Sequence, residues 1–262
     1  MTTLPTFRTT ASVLAMLLVG PVFAAPSAQA FDAVKKPESL DPEWRAHLCA
    51  LLPQPCETDS LALFRPRGAA AGDYVALAQV PLVMARIQRS ASTKAWQLDR
   101  LHDFTGYADA VKKNASSDAP DVRLSLAPAL YPLAEGQWAV AVLQTVSEGY
   151  SGGGASFSTA DFVPLDGSKA TYEGIPFACG KMVRACFSEQ EYKHSRHCHD
   201  ESNGSLRIAY GDATKAGAPY SWQYTWLQSE WPQDTPASAT TTTRIRFTAN
   251  TTERADFCGG PQ

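Results

Sequence analysis

Across residues 60–89 the chain alternates short apolar runs (LALF, YVALAQV, LVMARI) with Gly, Pro and Arg. Short apolar runs separated by turn formers predict β-strands. The same pattern returns at 137–146, 156–164, 205–210, 219–228 and 241–248. Turn chemistry bounds these segments at Gly152-Gly153-Gly154, Asp166-Gly167, Asn203-Gly204, Gly211-Asp212 and the 232–236 stretch.

Helical signals are few. Asp41-Pro42-Glu43 offers an N-cap acceptor, a first-turn proline and an acid near the positive end of the dipole. Trp44, Leu48 and Leu51 follow at helical spacing until Pro53, which predicts a helix of about three turns. A second helix is predicted over Thr105–Asn114, and 31–40 reads as a polar lead-in. With no βαβ alternation, the expected fold is mainly β (α+β): an antiparallel sandwich or barrel-like sheet with one or two short N-terminal helices. It is expected to form a single β-rich, disulfide-stabilised domain over 31–262.

The N-terminus changes the picture of where this domain works. One charge, Arg8, precedes an apolar stretch over 11–25 and a small-x-small site at Ala28-Gln29-Ala30. That is the layout of a signal peptide, with the cut expected after Ala30. The stretch is broken by Gly20 and Pro21 and falls short of the roughly 18 to 20 apolar residues a membrane span requires. A soluble protein, periplasmic or secreted and without a membrane anchor after cleavage, is the expectation.

All six cysteines lie beyond this leader, and an even number in an oxidising compartment reads as a disulfide set. The Pro53 and Pro55 kinks predict Cys49–Cys56. Cys258 is expected to reach one of Cys179, Cys186 or Cys198 and so tie down the last strand.

Against 26 acidic residues the chain sets 23 Lys and Arg, a net charge of -3, which argues against nucleic acid as a partner. Three groups of residues remain as candidate chemistry. Gly149-Tyr150-Ser151-Gly152-Gly153 fits the G-x-S-x-G pattern of a nucleophile elbow, but the residues after it alternate as a strand where the elbow requires a helix. A glycine-rich hairpin is therefore predicted, and no catalytic residue is assigned.

The second group is HSRHCHDE, with His194, His197 and His199 followed by Asp200 and Glu201. In an extended chain His197 and His199 share a face and Cys198 points the other way; in a helix His194 and His197 share one. Either offers two imidazoles and a nearby carboxylate, a partial site for zinc or copper. The expected donors are His194, His197, His199 and Asp200, with a further ligand such as His47 or His102 needed to complete them. The string resembles the H-x-H-x-D-H run of metallo-hydrolases, with the acid one residue early at Asp200 and Glu201 where Asp is expected.

The third group is the strand in which Tyr220, Trp222, Tyr224 and Trp226 alternate with polar residues and Leu227. All four rings share one face, either as core or as a binding platform. The functional expectation is an exported binding or inhibitory module acting on a protein or an envelope polymer such as polysaccharide, with the aromatic strand as its contact. The alternative is a metal-binding protein or metal-dependent hydrolase using the histidine cluster.

Overall fold

A computed structural model describes residues 26–114, 121–215, 217–249 and 257–260. The apolar stretch at 11–25 lies outside them. The first half contributes strands β1 (Gln29–Ala33), β2 (Leu61–Pro66), β3 (Asp73–Ala78), β4 (Val83–Arg89) and β5 (Trp96–Asp103). The second contributes β6 (Arg123–Ala134), β7 (Gln137–Tyr150), β8 (Gly153–Pro164), β9 (Tyr172–Arg184), β10 (His199–Gly211), β11 (Ser221–Trp231) and β12 (Thr241–Phe247). Three short helices accompany them: α1 (Trp44–Cys49), α2 (Thr105–Asn114) and α3 (Glu189–His194).

The strands form one antiparallel sheet in the order β12-β11-β10-β9-β8-β7-β6-β1-β2-β3-β4-β5. Two meanders, β2 to β5 and β6 to β12, are joined by β1, which pairs with β2 at Phe31–Pro66 and with β6 at Gln29–Leu130. The sheet is open but strongly curled. Trp222 Nε1 donates to Pro132 O at 3.0 Å and Tyr220 N donates to Leu133 O at 2.8 Å, bringing the start of β11 back onto the end of β6.

The pleat distributes the core between faces. In β3 and β4, Tyr74, Ala76, Ala78, Val83, Ala85 and Ile87 join Trp44 and Leu48 of α1, whereas Val75, Leu77 and Met84 turn the other way. That second face meets Ala108 of α2 and Val140 and Val142 of β7. Burial on both faces explains why β3 and the first three residues of β4 read as continuous apolar runs. β7 divides in the same way, sending Ala139 and Ala141 toward the aromatic cluster inside the curl.

Helix α1 is shorter than the spacing predicts because Asp41 is spent on a preceding turn. Its Oδ1 accepts from Glu43 N, and its Oδ2 takes His47 Nδ1 and Trp96 Nε1, each at 2.7 Å. Helix α2 has the predicted bounds. Helix α3 was not predicted; it starts at a capping box in which Ser188 and Glu191 satisfy each other's backbone amides.

Strands β1, β5, β6 and β9 are likewise longer in the structure than any signal for them in the pattern. Asn203-Gly204 is a second correction, since β10 runs straight through it. A Cβ on Gly204 would stand 2.1 Å from the Trp226 ring and 2.5 Å from Cys179 Sγ, so the glycine makes room for packing and does not turn the chain.

The disulfides are Cys49–Cys56, Cys179–Cys258 and Cys186–Cys198. Cys258 thus reaches β9, and Phe257 beside it packs against Phe157 and Trp226. What it ties down is the segment at 257–260, with β12 held separately by its ladder to β11.

The register bears on processing. A cut after Ala30 removes Gln29 and Ala30, the two residues through which β1 pairs with β6. A chain beginning at Phe31 is therefore expected to be about 1 to 2 kcal/mol less stable than one beginning at Pro26, from the lost ladder bonds. Urea unfolding of the two chains measures this, and equal midpoints would show that the β1–β6 pairing is dispensable.

Candidate metal centre

Between β9 and β10 the chain makes an excursion through α3, and the Cys186–Cys198 disulfide clamps its two ends. Ala185 N donates to Cys198 O at 2.9 Å, extending the β9–β10 ladder past the strand ends. The chain from His197 to Glu201 is consequently extended, and its two-residue period puts His197, His199 and Glu201 on one face. Their donor atoms all lie within 4.8 Å of one another.

His197 is the most constrained member. Its ring stacks on Trp231 with centroids 3.5 Å apart and planes 5° from parallel. Its backbone is fixed as well, His197 O accepting from Asp234 N and Ser195 Oγ, both at 2.8 Å. Trp231 in turn donates Nε1 to Thr235 O.

The His197 side chain is only 10% exposed, and its buried Nε2 has no hydrogen-bond partner among the described residues. Such an orphan costs about 1 to 3 kcal/mol when nothing satisfies it. Glu201 Oε1 lies 3.6 Å from this nitrogen, too far for a hydrogen bond. It is close to the roughly 3.3 Å that separates two ligands on tetrahedral zinc with bonds near 2.0 Å. Two imidazoles and one carboxylate suit zinc, copper or another first-row ion, and leave coordination positions open. Glu201 also lines an open groove of about 440 Å³ with Ser147, Ser156, Lys181, Met182 and Asn203.

The structure selects among the predicted donors. His197 and His199 come together as the extended geometry requires. Asp200 occupies the alternate face, where its Oδ1 accepts from Gln233 N at 2.8 Å, and Glu201 is the acid that stands with the two histidines. His194 is exposed in the last turn of α3, with Nδ1 donating to Gln190 O. His47 is engaged by Asp41 and His102 Nδ1 by Leu165 O, so neither completes the cluster. Trp231 carried no signal in the sequence beyond its place ahead of a proline turn.

The aromatic strand does not offer its rings to a partner. Trp222, Tyr224 and Trp226 are buried and Tyr220 is partly buried against the same cluster. Trp222 packs edge-on to Phe162 and Tyr210 within the curl. Exposing one such ring costs about 3 kcal/mol, so these residues are core.

Ser151 lies in the two-residue turn of the β7–β8 hairpin, between paired Tyr150 and Gly153. Gly152 there has φ +96°, and a Cβ would strike the Arg184 side chain. A hairpin and not an elbow is formed.

Comparison with known protein families, with curated proteins and with solved structures gives no match to this chain. Its function has to be argued from its own residues.

Two further polar groups are structural anchors. Asp161, 5% exposed, accepts from Tyr107 Oη and Gly174 N at 2.6 Å each and from Gln144 Nε2, tying α2 to β7 and β9. Burial, and then the hydrogen bond to Asp161, push the Tyr107 hydroxyl well above its ordinary range. Asp41 and His47 edge a cleft of about 540 Å³ with Arg89, Lys94 and Trp96. Burial pushes the Asp41 carboxyl up, but hydrogen bonds from His47, Trp96 and Glu43 N outweigh it and hold it below 3.8. The hydrogen bond to Asp41 raises His47 above 6.5.

Two predictions follow from these anchors. Asp161→Ala strands three donors and is expected to lower stability by about 3 kcal/mol, against about 1 kcal/mol for Tyr107→Phe. Denaturant unfolding reads both; a shift below that of Tyr107→Phe would show the carboxylate to be replaceable. For the Asp41–His47 pair the signs are opposite. His47's contribution is complete below 6.5 and fades as pH rises through its raised value. Asp41's is complete above 3.8 and fades as pH falls through its lowered value. Thermal unfolding against pH should therefore lose midpoint above pH 6.5, with His47→Gln flattening that limb.

Proposed function

We propose that this chain is an exported metal-binding protein holding zinc or copper at His197, His199 and Glu201. The observation that carries the reading is the buried, unpartnered His197 Nε2 aimed at two further donors on the same strand face. A polar atom in that position is expected to have a partner, and an ion held between it and Glu201 fits their 3.6 Å separation. All six cysteines are disulfide-bonded, so none offers a thiolate to this site.

Export is supported by the leader pattern and by the three disulfides, which belong to an oxidising compartment. Among the described residues no helix is long and apolar enough to cross a membrane. The periplasm or the extracellular space is the proposed location.

A second reading, a module that holds a protein or an envelope polymer, is favoured by a different surface from the one the sequence pointed to. Tyr150, Met182, Phe187 and Tyr192 are exposed. Tyr150 and Met182 meet through a hydrogen bond and the other two flank Arg184, so the four surround the same end of β9. A partner docking there would cover the metal site.

The full, disulfide-bonded chain, stripped with a chelator and titrated with Zn(II) or Cu(II), is expected to take up about one equivalent. His199→Ala together with Glu201→Gln should abolish uptake and leave the circular dichroism unchanged. Metal at 100 times its dissociation constant should stabilise the parent by about 2.7 kcal/mol and the variant not at all. Uptake that is substoichiometric in the parent, or equal in parent and variant, would overturn the assignment.

A further inference from the structure

We propose that the ion this site is built for is copper, and that Met182 supplies a thioether sulfur which lets the site hold Cu(I). The inference rests on the metal reading of His197, His199 and Glu201 and adds a donor to it from the neighbouring strand.

Met182 on β9 is the register partner of Glu201 on β10. Partners directly opposite in an antiparallel pair share a face, with Cβ atoms about 4.5 to 5.5 Å apart. Both line the same open groove. The methionine is 41% exposed and belongs to none of the buried apolar clusters. Its other register partner is Gly154 on β8, which has no side chain to occupy the thioether. Around it the sheet surface is polar, with Ser156 and Asn203 along the groove. Packing gives this position no reason to be methionine.

The cation beside the site is already committed. Arg184, register partner of His199, donates Nε to Cys186 O at 2.6 Å, and its guanidinium lies over the Phe187 and Tyr192 rings. Thioether is a soft donor that selects Cu(I), imidazole serves both copper states, and carboxylate favours the harder divalent ion. A face with two imidazoles, a carboxylate on one strand and a thioether opposite it suits Cu(II) through Glu201 and Cu(I) through Met182. Zinc gains nothing from the sulfur. The stacked Trp231 ring shields one side of His197, which favours the low coordination number of Cu(I) over a hydrated ion.

The test uses the full, disulfide-bonded chain, with Cu(I) supplied anaerobically without thiols against a chromophoric Cu(I) chelator, and Zn(II) titrated in parallel. Met182→Leu, a volume-conserving change on the surface, is expected to weaken Cu(I) binding about tenfold or more and leave Zn(II) affinity unchanged, as loss of a tuning donor does. X-ray absorption of the Cu(I) protein should show a sulfur neighbour that disappears in the variant, although the Cys186–Cys198 disulfide is present in both. Equal Cu(I) affinity and an unchanged sulfur signal, with Zn(II) still bound, would overturn the role of Met182 alone. A parent that binds neither ion would overturn the underlying site as well.

Discussion

The two-residue period of the antiparallel ladder decides which side of the sheet each side chain reaches, and both the core and the proposed metal site follow from it. In β3 and β4 it sends alternate residues to two different apolar clusters, which commits both faces of the first meander. In β11 it gathers Trp222, Tyr224 and Trp226 inside the curl. At the start of β10 the same period lines up His197, His199 and Glu201. Shifting the register of β10 by one residue would put Cys198 and Asp200 on the ligand face and break the disulfide geometry, so fold and site are specified together.

That dependence explains what could be read in the sequence. β3 and the start of β4 were legible because chain buried on both faces shows as a continuous apolar run, β2 because its buried Leu61 and Leu63 lie in a short apolar run, and the ring alternation of β11 marked one face as core. β9 was obscured because its apolar positions are interrupted by Gly174, Pro176, Gly180 and Lys181. β6 carries Pro128 and Pro132 and register shifts near both, so its pattern keeps no clean period. The capping box at Ser188 and Glu191 was a local signal for α3 that the hydrophobic pattern alone passes over.

The site was half legible for the same reason. An extended chain pairs His197 with His199, and continuing the alternation one step reaches Glu201, not Asp200. Composition draws attention to the densest run of histidines and acids, which brought in His194 and Asp200; geometry removes both. The parts contributed from elsewhere, the Trp231 ring and the groove wall formed by β9, depend on strand pairing that spacing within the histidine segment cannot reveal.

The Cys186–Cys198 disulfide gives the arrangement its rigidity. It closes a loop of sequence separation 12, and a cross-link of that size restricts the unfolded chain by about 3 kcal/mol in the entropy model. More important here is where it closes. One end lies two residues beyond Arg184 at the end of β9, and the other between His197 and His199 in the chain, so the disulfide holds the histidine segment beside β9. Cys198 points away from the histidine face whether or not it is oxidised, and the sulfur that shares that face on the neighbouring strand belongs to Met182. The disulfide thus constrains the geometry of the proposed site as well as adding to the stability of the domain.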